Sequence, residues 1–167
     1  MKRLVFLLVC FLGMALLTQG CWEKQIMPVN ATASSYEVNP ATCPVSAAYD
    51  GILTAYWSPI LEDATSDDGS YIELEFDKIY AFGQIILHVN TQNDIDHVSR
   101  AASFTIFNAD GLELATGSYT ATESIKEVSF IALRTDKLRI TFDQVQADAI
   151  PVINEVETYE RKFLGIF

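Results

Sequence analysis

The sequence predicts an all-β chain, a sandwich or barrel of short strands behind a cleaved N-terminal signal segment. Three observations predict it. Residues 71–76, YIELEF, alternate without a break: Ile72, Leu74 and Phe76 share one face, Glu73 and Glu75 the other. That period of two marks a half-buried strand. Several more short runs of this kind follow, with turn residues between them, as in an all-β domain. No sustained 3.6-residue period appears after the first 20 residues.

The 167 residues are 50% hydrophobic and 20% charged, a globular composition. The length suits one domain and is enough to bury a core.

The first element is a targeting segment. Lys2 and Arg3 precede an apolar run over 4–17, and the small residue Gly20 precedes Cys21. Charge, apolar run and small-residue exit make a secretory signal over 1–20. The run is shorter than the roughly 20 apolar residues a membrane span needs. Two readings of Cys21 stay open. Residues 16–21, LLTQGC, resemble a bacterial lipoprotein signal, with Thr18 where an aliphatic residue is usual. In the other reading Cys21 pairs with Cys43 in an oxidising compartment, since Cys10 leaves with the signal. Asn30-Ala31-Thr32 is a glycosylation sequon, meaningful in a eukaryotic host.

Without Lys2 and Arg3, 9 basic residues face 22 acidic ones, a net charge near −13. That excludes the basic footprint needed for nucleic acid or anionic lipid. Membrane contact is therefore expected only through a lipid on Cys21.

Residues 21–29 read as a short polar leader, and the strand pattern begins near Asn30. A brief helical turn is expected at 45–49. The run YIELEF is the first clear strand. In GQIILHVN (83–90), Ile85, Leu87 and Val89 share one face, and Ile86 and His88 lie opposite, so both faces are expected to be covered. ASFTIFN (102–108) is the next strand, with Phe104 and Ile106 inward. Residues 108–111, NADG, read as a turn from which LELAT returns. KEVSFIAL (126–133) and KLRITF (137–142) are two further strands. PVINEVETYE (151–160) closes a domain spanning 30–160, and 161–167 form an apolar tail.

The order of these pieces resembles the discoidin domain, also called the coagulation factor five/eight type C domain. Family 32 carbohydrate-binding modules share its galactose-binding-like jelly-roll β-sandwich. ATASSYE (31–37) resembles the opening strand, and AAYDGILTAYWS (47–58) the Ala-x-Asp-Gly…Tyr-Trp-Ser segment. YIELEFDKIYAFGQIILH (71–88) is similar to the following strand pair. SRAASFTIFNADG (99–111) resembles the Arg-led strand and its turn, DKLRITF (136–142) a later strand, and VINEVETYE (152–160) the closing one. Two departures are Asp77 where Gly is usual and Ser70 where Trp is usual.

The resemblance implies a calcium site. Its Asp-Gly loop and the first Glu of its closing strand fall here on Asp50 and Glu155, with Thr54 as a further oxygen donor; Ile52 and Ala55 replace polar residues. Calcium takes six to eight oxygen ligands. The alternative is that Asp50 caps a turn and Glu155 finds a backbone or Arg partner. Tyr56 and Trp57 are implied as core residues beneath the loop, with a stacking platform as the other reading.

The resemblance also implies a ligand surface in the loops at one end of the sandwich. Sugar recognition needs planar donors and acceptors. The segment NTQNDIDHVSR (90–100) supplies Asn90, Asn93, His97 and Arg100. Arg100 falls at the position of a sugar-contacting Arg, and Asn90 replaces a basic residue common in sugar binders. Ser58 stands where some members carry His. Glu62 belongs to a second rim, 59–70. Against this, Arg100 beside Asp94 and Asp96 also suits a loop-bracing ion pair, and His97 a solvent-facing role.

No nucleophile motif, Gly-rich phosphate loop or His-rich metal cluster is present. Glu155 and Glu157 share a strand face, a spacing able to hold a metal, without a nearby acid/base partner. The expected function is an exported, non-catalytic module that recognises carbohydrate. The alternative is a protein-interaction or cell-adhesion module whose loops hold a surface protein.

Overall fold

A computed structural model describes residues 22–35, 44–60, 69–90, 102–120, 122–143 and 150–161. Seven strands are found among the described residues: β1 (Trp22–Gln25), β2 (Asn30–Ala33), β3 (Ser70–Val89), β4 (Ala102–Asn108), β5 (Glu113–Tyr119), β6 (Ile125–Phe142) and β7 (Ile153–Arg161). All their pairings are antiparallel. Among the described residues the only helical element is a 3-10 turn at Val45–Ala48, where a helical turn was expected. No described helix is long and apolar enough to cross a membrane. The all-β sandwich read from the sequence is the observed architecture.

Two strands are much longer than their sequence patterns. β3 contains both YIELEF and GQIILHV, and β6 contains both KEVSFIAL and KLRITF. The exposed Asp77, Lys78 and Ile79 interrupt the alternation, so the sequence reads β3 as two strands. In the structure the β3–β6 register shifts between Glu75 and Tyr80 and again between Phe82 and Gln84. Such irregularities bend a strand without ending it. On β3 the buried positions pass from Ile72, Leu74 and Phe76 to Ile85, Leu87 and Val89, from even to odd. A flat sheet would put those two sets on opposite faces. The bend instead turns both inward.

Each long strand therefore serves two layers. In one, β2 pairs with residues 72–75 of β3, and the second half of β6 carries β4 and β5. In the other, the second half of β3 pairs with the first half of β6 and with β7, which carries β1. The hydrogen bonding is continuous in the order β1-β7-β3-β6-β4-β5, with β2 on β3. Trp57, Phe82, Phe104, Phe142 and Leu138 lie in the core between the layers. At the bend, the rings of Phe76 and Phe82 pack at 4.4 Å and those of Tyr80 and Phe82 at 5.8 Å.

The stretch before Asn30, read as a leader, supplies β1. Trp22 pairs with Arg161 and Gln25 with Tyr159. Ile26 is buried; its N–H reaches the Thr158 carbonyl at 2.8 Å, and its carbonyl accepts from the Thr158 hydroxyl at 2.5 Å. A strand here covers the otherwise open edge of β7.

The sandwich has two unlike ends. The bend end gathers the turns of β3 and β6 and the β4–β5 turn, where the Ala109 N–H meets Thr135 Oγ1 at 3.2 Å. That β4–β5 turn was expected: Asn108 Oδ1 accepts from the N–H groups of Asp110 and Leu112, and Gly111 has φ +76°. Trp22 lies at the same end, because Glu160, next to its partner Arg161, pairs with Phe82. At the crossover end, Val89, Ala102, Phe142 and Ser70 are strand ends, and segments 61–68, 91–101 and 144–149 begin and finish on described residues there. Two backbone contacts mark this end, from Asp143 N–H to the Ser103 carbonyl at 3.0 Å and from Asn90 N–H to the Val152 carbonyl at 2.9 Å.

Candidate functional site

The loop from Tyr49 to Trp57 is stitched to the start of β7. Trp57 and Ile153 exchange backbone hydrogen bonds at 2.8 and 2.9 Å. Asn154 Nδ2 donates to the Ala55 carbonyl at 2.9 Å, and the Gly51 N–H donates to Glu155 Oε2 at 2.9 Å. Asp50 Oδ1 accepts from the Ile52 N–H at 2.8 Å, closing a tight turn that needs φ +77° at Gly51. Asp50 thus caps a turn and Glu155 takes a backbone partner, as the alternative to calcium expected.

Those bonds do not use up the site. Glu155 is 2% exposed, and its second oxygen, Oε1, is buried with no hydrogen-bond partner among the described residues. Burial pushes its carboxyl above the usual carboxylate range. The Gly51 N–H opposes that shift, the charges of Asp50 and Glu157 add to it, and His88 opposes it. Among the described residues an ionised Glu155 has no direct ion-pair partner, and His88 offsets its burial only in part. A hard cation taking oxygen ligands from Glu155, Asp50 and loop carbonyls fits this donor set. Among the described residues no group of three or more His, Cys, Asp and Glu side chains gathers, so carbonyls or water would complete the shell. Thr54 is exposed in the same loop.

Asn154 is the residue that sequence reasoning missed. It ties down Ala55 while remaining 8% exposed. Its signal was a polar side chain in an otherwise apolar strand opening, VIN. Glu157 does not join Glu155 at the loop. Its carboxylate instead meets His88 Nε2 at 2.7 Å and accepts from the Tyr159 hydroxyl.

Asn90 and Ser58, read as ligand contacts, are buried, at 8% and 2% exposure. The Asn90 backbone joins Val152, and the Ser58 hydroxyl donates to the Pro59 carbonyl at 3.5 Å. Both side chains are thus buried at the bases of the loops. Arg100, His97, Asn93, Glu62, Cys21 and Cys43 lie outside the described residues, as do the signal and residues 162–167. Trp57 is fully buried, 6.0 Å from the Phe142 ring, with its indole N–H donating to the Ser35 carbonyl at 2.9 Å. It is a core residue, not a stacking platform.

No family model matches the chain, and no curated protein does. Solved structures match its backbone. The family 32 carbohydrate-binding module of C. perfringens NanJ, solved with galactose, superimposes with a TM-score of 0.64 at 21% identity, over 78% of this chain and 93% of that one. The shared fold is the antiparallel β-sandwich. The family 32 module of AlyQ, solved with 4,5-unsaturated mannuronic acid, gives 0.60 at 22% identity over 86% of this chain and all of that module. A truncated AlyQ with both its family 32 and alginate lyase domains gives 0.65 at 21% identity. The match covers 84% of this chain but only 34% of that longer one. At these identities the likeness to family 32 is one of fold.

Proposed function

We propose that the chain is an exported, non-catalytic carbohydrate-binding module that takes its ligand in the loops at the crossover end. The observation that carries this reading is the shared fold, since the similar solved modules are complexes with galactose and with an unsaturated mannuronic acid. Fold alone does not fix function, so the reading also draws on this chain's own residues. Segment 91–101 carries Asn93, His97 and Arg100, and joins strands that end at the crossover end. Arg100 supplies planar donors for sugar hydroxyls, and Asn93 and His97 precede it in the same segment. Glu62, in the second segment 61–68, adds an acceptor.

Calcium is part of the proposal. Glu155 and Asp50 would hold it, and it would supply a partner for Oε1, which has none among the described residues. The chain's residues contribute the tight Asp50–Gly51 turn and the Asn154 and Trp57 ties that fix the loop. Export follows from the signal over 1–20, and Cys21 is read as lipid-bearing, which would place the module at the cell surface.

The test is a glycan array with the mature chain, in calcium and again in chelator. Selective binding lost in Arg100→Ala supports the proposal and assigns the ligand to segment 91–101. Weaker binding in chelator ties the ion to the loops. A blank array from well-folded protein overturns the carbohydrate reading in favour of a protein-adhesion role.

A further inference from the structure

We infer that the bend end of the sandwich rests on a lipid bilayer, with the crossover end turned outward. The inference depends on the lipid-bearing reading of Cys21 proposed above. Its geometry comes from the strand pairing. Trp22, the residue after Cys21, pairs with Arg161 at the bend end. A lipid on Cys21 would therefore enter the bilayer with no spacer, only one peptide unit, about 3.8 Å, from the first paired residue.

The side chains at that end suit such a neighbour. Val29 is 63% exposed, Ile79 53%, Leu112 55% and Ile131 87%. Each lies near the bend. The Val29 N–H reaches the Glu75 carbonyl at 2.8 Å, and Ile79 sits in the register shift between Glu75 and Tyr80. Ile131 lies two residues from Leu133, the partner of Phe82, and Leu112 closes the turn that touches Thr135. Of the other exposed large apolar residues, Met27 precedes β2, Ile52 and Leu53 lie on the Asp50 loop, and Ile125 is at the crossover end. One acyl chain alone binds a membrane marginally, and stable anchoring takes a second contribution. Apolar side chains around the anchor supply it.

Charge points the same way. At the bend end the exposed Lys24, Lys78 and Arg134 nearly balance Asp77, Asp110, Glu113 and Asp136. The segments 61–68 and 91–101, which join strands at the crossover end, carry Glu62, Asp63, Asp67, Asp68, Asp94 and Asp96 against Arg100. An anionic leaflet repels that end and tolerates the other.

The test uses the full chain, expressed with its signal and purified from membranes, in a Cys43→Ser background. Fluorophores are placed singly at Ile79→Cys, Ile131→Cys, Ser103→Cys and Ser124→Cys, all exposed positions. The protein is reconstituted in phosphatidylcholine–phosphatidylglycerol vesicles containing a nitroxide lipid, and the mature N-terminus is read by mass spectrometry. The expected result is an acylated Cys21, at least two-fold quenching at 79 and 131, and unchanged emission at 103 and 124. Acylated Cys21 with equal quenching at all four positions overturns the orientation alone. Unmodified Cys21 in soluble protein overturns the lipid reading, and the orientation with it. Glycan binding is read separately on the array.

Discussion

The Gly51 N–H donates to Glu155 Oε2 at 2.9 Å, joining two points 104 residues apart in the chain. That bond uses one carboxylate oxygen and leaves the other buried, with no hydrogen-bond partner among the described residues. The folded state therefore favours the protonated Glu155, whose pKa is raised chiefly by burial. Its contribution to stability is present below the ordinary carboxylate pKa and is lost as pH rises through the raised one. At pH 7 in chelator, Glu155→Gln should be at least as stable as the native chain. With calcium the order should reverse. The native chain would gain about 2.7 kcal/mol at a calcium concentration of 100 Kd, and the variant should gain little. Urea melts in chelator and in calcium measure both, and equal calcium responses would remove Glu155 from the ion's shell.

Gly51 and Gly69 both have positive φ, +77° and +66°, yet they should respond differently to Ala. A Cβ on Gly51 meets nothing within 4 Å, whereas one on Gly69 would lie 2.3 Å from the Phe142 carbonyl oxygen. Gly51→Ala should cost only the left-handed strain, about 1–2 kcal/mol. Gly69→Ala should cost clearly more, because backbone must move at a strand end of the core. Chemical denaturation of the two variants side by side gives the comparison.

Trp57 should matter for stability and not for ligand. Trp57→Phe removes the indole bond to the Ser35 carbonyl and leaves a void beside Phe142. A loss of about 1–3 kcal/mol is expected. Glycan affinity, measured by calorimetry below the melting range, should change less than two-fold. A selective loss of affinity would return Trp57 to the binding surface.

Tyr159 donates to Glu157, and that bond pushes its pKa up to about 12. The raised value means the bond's stabilisation holds below the ordinary tyrosine pKa near 10 and fades as pH climbs through 12. Spectrophotometric titration of the tyrosines should therefore show a late step that is smaller in Tyr159→Phe, the remainder coming from Tyr80, whose pKa Asp77 also raises. The same variant should lose its stability deficit relative to the native chain at the alkaline end.

Local pattern carried much of this fold. Ile72, Leu74 and Phe76 announce their strand by alternation, Gly111 its turn by backbone need, and the order of six weak motifs the jelly roll. What stayed hidden depends on distant partners. Nothing in Asp77-Lys78-Ile79 marks a strand, because its continuity is set by β6 across the register shift. Residues 22–25 look polar and free, and become β1 only because the edge of β7 needs a partner. At the site, Asp50 and Glu155 were legible as a pair through family resemblance. The burial of Ser58 and Asn90 was not, since a polar residue in a loop sequence carries no sign of what packs over it.

The two bent strands have a consequence for how the molecule comes apart. Because β3 and β6 run through both layers, neither layer has a complete set of strands of its own. Peeling one away means tearing the hydrogen bonding of the other at the bend. The sandwich should melt in a single cooperative step, and slowly re-form, since nucleating either layer requires partners far apart along the chain. A binding surface on such a frame keeps its shape until the whole domain fails at once.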